Sequence, residues 1–214
     1  MVKNNTYNYI INEFFKSSCY NVELKGNNRV DKVKLQQRID GFCDSKQIDL
    51  EMLFNELKKD PWIKNLEIKR DLKDNILIIN IIEYMPFAIL IENNKSKLIN
   101  ETGEEIKIGK YAVQDFEGNL INLSGENVKR NINSLFNLLT SNADLMQKIR
   151  YVTKIQDRRW NFEFYNGILV KMPENDEIQA WKMLEEILKK ENMEHNLKVI
   201  DLRNSEKTYL EWRE

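Results

Sequence analysis

Apolar positions along the chain change period several times, and each change marks an element. Residues 6–16 place Tyr7, Ile10, Ile11, Phe14 and Phe15 at i, i+3, i+4, i+7 and i+8, a spacing that predicts an amphipathic helix. That helix suits a juxtamembrane stalk or a segment packed on its own domain. A short strand follows over 20–26, with Val22 and Leu24 on one face, and Gly26-Asn27 supplies residues that tolerate a left-handed turn. Asp31 is placed to cap a helix over 32–40 whose inner contacts are Val33, Leu35 and Ile39, with Gly41 as a C-terminal glycine stop. Asp49 caps a second helix carrying the stripe Leu50, Leu53, Phe54 and Leu57, with Ile48 and Leu53 at the two hydrophobic-staple positions. Pro61 ends it.

Residues 63–70 and 75–84 then read as two strands joined by the polar run Asp71-Leu72-Lys73-Asp74-Asn75, an antiparallel hairpin. The second strand is almost continuously apolar, as a central strand should be. Leu77, Ile79 and Ile81 are expected to face the two helices, which leaves Ile76, Ile78 and Ile82 on a face needing cover from loops or a partner. Arg70 and Glu83 fall near opposite ends of the paired strands, so each is expected to contact other neighbours, and Trp62 reads as a core anchor.

Beyond residue 87 the strands shorten to 88–91, 97–100, 105–108 and 119–122, separated by Asn93-Asn94, Thr102-Gly103 and Glu117-Gly118. Helices are predicted over 127–140 and from Asn142 to about 148, followed by a strand over 151–156. In the hairpin 158–172, Trp160, Phe162 and Phe164 alternate, Asn166-Gly167 signals a two-residue turn, and Ile168 and Val170 continue. A helix over about 176–192 turns Ile178, Trp181, Leu184 and Leu188 inward, with Met183 near the edge of that stripe. A final strand over about 204–212 alternates Lys207, Tyr209 and Glu211 with Thr208, Leu210 and Trp212.

Several of these stretches resemble the FtsQ/DivIB family of bacterial division proteins, over about residues 20–212. The hairpin matches through Pro61, Trp62, Ile63, Leu66, Ile68, Arg70, Leu77, Ile79, Ile81, Glu83, Pro86 and Ala88. VELKGNNRV resembles the opening of the family's POTRA domain, RRWNFEFYNGILVKMPE a later hairpin (with Met172 where leucine is usual), and VIDLRNSEKTYLEW the family's C-terminal segment. Two weaker matches depart from the family at Asn100, at Glu105 with Ile106 and at Ile121. The RRW and IDLR motifs lean towards an α-proteobacterial FtsQ. The fold implied is α+β: a βααββ POTRA domain over 19–87, preceded by a juxtamembrane helix over 1–18. A β-rich domain follows over 88–214, with a curved, mostly antiparallel sheet and flanking helices.

The resemblance implies a non-enzymatic divisome scaffold in the periplasm, anchored in the inner membrane by a span preceding this sequence. Its expected partners are FtsB-like and FtsL-like coiled-coil proteins, with other divisome proteins at the POTRA domain. The family binds its FtsB-type partner by adding a strand beside the last segment. That points to Arg203, Asn204, Ser205, Tyr209 and Trp212, with Arg158 or Arg159 as a charge contact. The alternative is a POTRA protein that binds polypeptides for outer-membrane assembly or secretion.

Composition narrows these readings without changing them. Net charge is −1 with a pI near 6.1, which offers no basic face for nucleic acid. The longest apolar run, 76–82, is broken by Asn80 and falls far short of the ~20 residues of a membrane span. One histidine, His195, excludes a Ser-His-acid arrangement by reading as a polar turn, and no pair of carboxylates stands out. No cofactor or metal is expected, since Cys19 and Cys43 alone do not make a zinc set. The two cysteines could bridge in an oxidising compartment, but two small, half-buried thiols is the preferred reading.

Overall fold

A computed structural model describes residues 12–17, 19–43, 48–108, 113–190, 196–204 and 206–213. The chain divides into two compact units, Met1–Tyr84 and Met85–Glu214. Among the described residues no helix is long and apolar enough to cross a membrane.

The first unit runs β1 (Asn12–Lys16), β2 (Asn21–Lys25), α1 (Lys32–Asp40), α2 (Leu50–Leu57), β3 (Ile63–Asp71) and β4 (Ile76–Glu83). The sheet order is β1-β2-β4-β3, with β4 parallel to β2 and antiparallel to β3. Flanked on both sides, β4 buries Leu77, Ile79 and Ile81 in one core with Leu24, Leu35, Ile39, Leu53 and Leu57. Ile82 is 57% exposed on the opposite face, and Ile76 and Ile78 are half-buried there. Both N-caps form: Asp31 accepts from the N–H groups of Val33 and Lys34, and Asp49 from those of Glu51 and Met52.

Four expectations for this unit are corrected. Residues 12–16 are a strand, not a helix, with Phe14 opposite Glu23 and Phe15 opposite Val22, while residues 6–11 lie outside the described residues. The helical spacing came from two adjacent Ile and two adjacent Phe residues, and the free edge of β2 provides a ladder of backbone partners that overrides it. Cys19 and Cys43 form a disulfide with their Cα atoms 5.5 Å apart, because β2 starts where α1 ends. Gly41 has φ −62°, so α1 ends in right-handed turns (Phe42 N–H to the Ile39 carbonyl, 3.0 Å) rather than a left-handed glycine stop. Val33 is 63% exposed, since it lies roughly half a turn from Leu35 on the helix.

Glu83 ties the two ends of this unit together. Its Oε1 accepts the N–H groups of Asn28, Arg29 and Val30 at 2.7, 2.8 and 2.8 Å. Gly26, at φ +80°, starts that loop, and a Cβ there would stand 2.2 Å from the Ile81 carbonyl oxygen. Arg29 lies over the Trp62 ring at 5.4 Å, and Arg70 over Tyr20 at 5.0 Å.

The second unit contains β5 (Ala88–Glu92), β6 (Lys95–Ile99), β7 (Glu105–Ile106), β8 (Ile121–Gly125), α3 (Ile132–Thr140), α4 (Ala143–Gln147), β9 (Ile149–Ile155) and β10 (Arg159–Phe164). It continues with β11 (Leu169–Lys171), α5 (Glu177–Lys189), β12 (Leu197–Asp201) and β13 (Tyr209–Trp212). The nine strands follow the order β13-β12-β11-β10-β9-β8-β5-β6-β7. Pairs β5–β8, β8–β9 and β11–β12 are parallel, and the rest are antiparallel. Helices α3 and α4 make the β8–β9 crossover and α5 the β11–β12 crossover, as parallel neighbours require. The helices share one core with the sheet, centred on Trp160, Phe162 and Phe164, and Phe162 meets Trp181 edge-on at 5.6 Å.

Here too the sequence reading needs correction in places. A 3-10 turn over Val128–Asn131 replaces the first turn of the helix expected from 127. The 158–172 hairpin closes through a three-residue loop: Phe164 N–H bonds the Ile168 carbonyl, and Gly167 alone of the Asn-Gly pair adopts a positive φ. Asn166 instead uses its side-chain oxygen to accept the Ile168 N–H at 3.2 Å. Ile178 is 68% exposed, because it sits roughly 120° around α5 from Leu184, the centre of a stripe that buries Ala180, Trp181, Ile187 and Leu188. On the last strand only Leu210 packs against the core, and Trp212 is 48% exposed.

Candidate functional site

Strands β9, β11 and β12 point the same way, since β10 reverses direction twice between β9 and β11 and β12 is parallel to β11. Their carboxyl ends therefore lie along one rim of the sheet. The loops β9–β10, β11–α5 and β12–β13 all spring from that rim, and they carry most of the residues singled out from the sequence.

Arg158 stands in the first loop, exposed, donating to Gln156 Oε1 at 2.7 Å and lying 3.9 Å from a Glu174 oxygen in the second loop. Beneath it is Lys154, at an inward position of β9 and only 5% exposed. Its Nζ donates to the Arg158 carbonyl at 3.3 Å and stands 4.3 Å above the Trp160 ring. Burial pulls the Lys154 pKa down, and Glu177, Asp157 and Glu174 work against that shift. Burial likewise raises the Glu177 carboxyl, opposed by Lys154. These groups floor a cleft of about 990 Å³ bounded by Leu138, Trp160 and Ile178.

Glu174, Asn175, Asp176 and Gln179 also line a second hollow of about 450 Å³, which reaches Met183, Leu202, Arg203 and Asn204. Arg203 and Asn204 in turn line a third, of about 520 Å³, closed by Asp201, Glu206 and Tyr209. Three adjoining hollows with shared wall residues, together called the furrow below, thus follow the rim from Arg158 to Tyr209 at the start of β13.

β13 pairs with β12 through Tyr209 opposite Asp201, Leu210 opposite Ile200, Glu211 opposite Val199 and Trp212 opposite Leu197. No described strand pairs with its other side. Tyr209, 58% exposed, and Trp212 stand on opposite faces of this strand. The strand is held at its far end by Arg213, whose N–H bonds the Asn196 carbonyl at 2.8 Å and whose guanidinium donates to the Asn166 carbonyl. At its near end Asn204 Oδ1 accepts the N–H groups of Glu206 and Lys207, and Thr208 donates to the Met183 sulfur.

Of the residues read from the sequence, Arg158, Arg203, Asn204 and Tyr209 therefore line one furrow, and Trp212 completes the edge beyond it. Arg159 alternates with Trp160 along β10 and so lies on the opposite face of the sheet, with its Nε buried and lacking a hydrogen-bond partner among the described residues. Ser205 and His195 lie outside the described residues. The sequence reading missed Lys154, Glu174 and Asp201. Lys154 had a legible signal, a lysine interrupting the inward series of β9 after Val152. Glu174 and Asp201 had none, since each matters through a partner that only the folded rim supplies. Among the described residues no group of three or more His, Cys, Asp or Glu side chains could hold a metal ion.

A ββααββ unit followed by a mixed nine-stranded sheet with flanking helices makes this an α+β protein with a β-rich second unit. The profile of the family described as "Cell division protein FtsQ/DivIB, C-terminal" matches residues 88–203. Relatives named cell division protein FtsQ include one from Novosphingobium aromaticivorans, 33% identical over 165 residues, covering 76% of this chain and 50% of that protein. One from Rickettsia conorii is 30% identical over 194 residues, covering 89% of this chain and 71% of that protein. One from Bartonella bacilliformis is 24% identical over 211 residues, covering 92% and 66%. The chain belongs to the FtsQ/DivIB family of cell division proteins. It spans half the length of the Novosphingobium relative and rather more of the other two.

Proposed function

We propose that this chain is the periplasmic part of a non-enzymatic divisome scaffold, anchored in the bacterial inner membrane by a single span, with a POTRA domain over 19–87 and a β domain over 88–214. It binds FtsB-like and FtsL-like coiled-coil proteins and so helps assemble and regulate septal cell-wall synthesis. An FtsB-like segment lies along the furrow and then pairs as a strand with β13. Other divisome proteins meet the first unit, where Ile82 and its neighbours leave apolar surface open. The observation that carries this reading is the run from Arg158 to Tyr209 ending at an unpaired strand edge. The Cys19–Cys43 bridge supports a place in the periplasm, since disulfides persist in oxidising compartments.

The rival, a POTRA protein that captures polypeptides for outer-membrane assembly or secretion, draws on β3, a nine-residue strand at the edge of the first sheet. Several features count against its use as a receptor. Lys64 and Lys69 are exposed along it, the Lys58 ammonium donates to the Lys64 carbonyl, and β1 already covers the edge of β2. Titration against a soluble FtsB-like segment and, separately, an unfolded outer-membrane polypeptide divides the two. Saturable binding of the first alone, lost in Tyr209→Pro with the melting temperature kept, supports the scaffold reading; binding of the second alone overturns it.

A further inference from the structure

We infer that Asp201 is a positioning residue of the β13 edge: it holds the Arg203 guanidinium in one orientation at the junction of two hollows, so that a carboxylate on an added strand meets it already aligned. This rests on the strand-addition reading above. Asp201 is the last residue of β12, with Lys171 across from it on one side and Tyr209 on the other. Its side chain is 13% exposed, whereas that of Arg203 is 46% exposed. One residue is built in and the other presented.

The clamp between them has four contacts. Arg203 Nε donates to both Asp201 oxygens, at 2.8 and 3.0 Å, and Nη2 to Oδ2 at 2.6 Å. The Arg203 backbone N–H donates to Oδ1 at 3.1 Å, which fixes the turn that carries the side chain. Arg203 holds the Asp201 carboxyl below its ordinary range, with Lys171 contributing, so the clamp stays ionised at neutral pH. A guanidinium has five N–H donors. A side-on pair through Nε and Nη2 leaves the Nη1 end free to take a second carboxylate in the two-pronged geometry arginine favours. Because Asp201 cancels much of the local charge, its contribution is not attraction at a distance. It removes in advance the rotamer entropy that a long exposed side chain would lose on binding.

The test uses the same soluble FtsB-like segment. Asp201→Asn keeps the shape but loses the second charged oxygen, and it is expected to weaken binding about three- to tenfold, mainly through faster dissociation. Arg203→Ala is expected to weaken it at least as much, and the double variant no further than Arg203→Ala alone. Replacing the acidic residues of the segment by their amides should erase the difference between parent and Asp201→Asn. Equal binding of parent and Asp201→Asn, or additive losses in the double variant, overturns the inference while strand addition stands. Failure of the parent to bind removes both. Should Asp201→Asn unfold, Arg203→Lys probes the same clamp, because an ammonium cannot bridge both oxygens in that plane; parent-like binding by Arg203→Lys then overturns it.

Discussion

The carboxylate of Glu83 takes N–H groups from three consecutive residues of a loop that is also anchored by a glycine pressed against β4 and an arginine lying over Trp62. Val30 is buried, so removing the acceptor strands its N–H away from water. Glu83→Ala is expected to cost about 2–4 kcal/mol in chemical denaturation, and Glu83→Gln, which retains an acceptor oxygen, distinctly less. Lys154 makes the opposite kind of prediction. Burial lowers its pKa, so the folded state disfavours the charged form. Stability is held down below the folded pKa and is regained as pH rises from there towards the ordinary lysine range. The melting temperature of the parent should therefore gain on that of Lys154→Met as pH climbs through the alkaline range. A constant gap between the two would mean the ammonium is fully solvated. Lys154 was legible as a lysine in the inward series of β9, whereas the role of Glu83 could not be read from spacing. Glu83 was recognisable as a matched position, but its three bonds reach across the sheet to a loop far away in sequence.

At the scale of elements, the N-caps of α1 and α2, the stripe of α2 and the inward face of β4 were legible because each is written in adjacent residues. Asp31, Asp49 and the series Leu77, Ile79 and Ile81 needed no distant partner to be interpreted. What the sequence misread was decided elsewhere. Residues 12–16 became a strand because β2 offered an edge, and the Asn-Gly turn lengthened because Asn166 capped the loop with its side chain. The disulfide also depends on tertiary placement, since it joins the start of β2 to the end of α1. Closing a loop across a sequence separation of 24 is worth about 3 kcal/mol in the chain-entropy account. Reduction is expected to lower the unfolding transition of the first unit by that amount and leave the transition of the second unchanged. Scanning calorimetry with and without a reductant checks this, and equal shifts in both transitions would tell against a bridge confined to the first unit.

Across the whole molecule, the order of strands in the second unit is what turns scattered loops into a site. Arg158, Glu174, Arg203 and Tyr209 are brought together because β9, β11 and β12 run in one direction and end at one rim. Most of the strands could be argued from periodicity, though not β1 or β12, and this convergence could not, since it depends on two hairpins and the α5 crossover, which pattern alone does not orient. Amide hydrogen exchange reads directly whether β13 is a working edge. With a saturating soluble FtsB-like segment, strand addition at β13 predicts slowed exchange concentrated in residues 206–213 and in the loops that line the furrow, with β3 unchanged. Saturated binding that leaves 206–213 exchanging at the free rate, with protection along β3 instead, would contradict it.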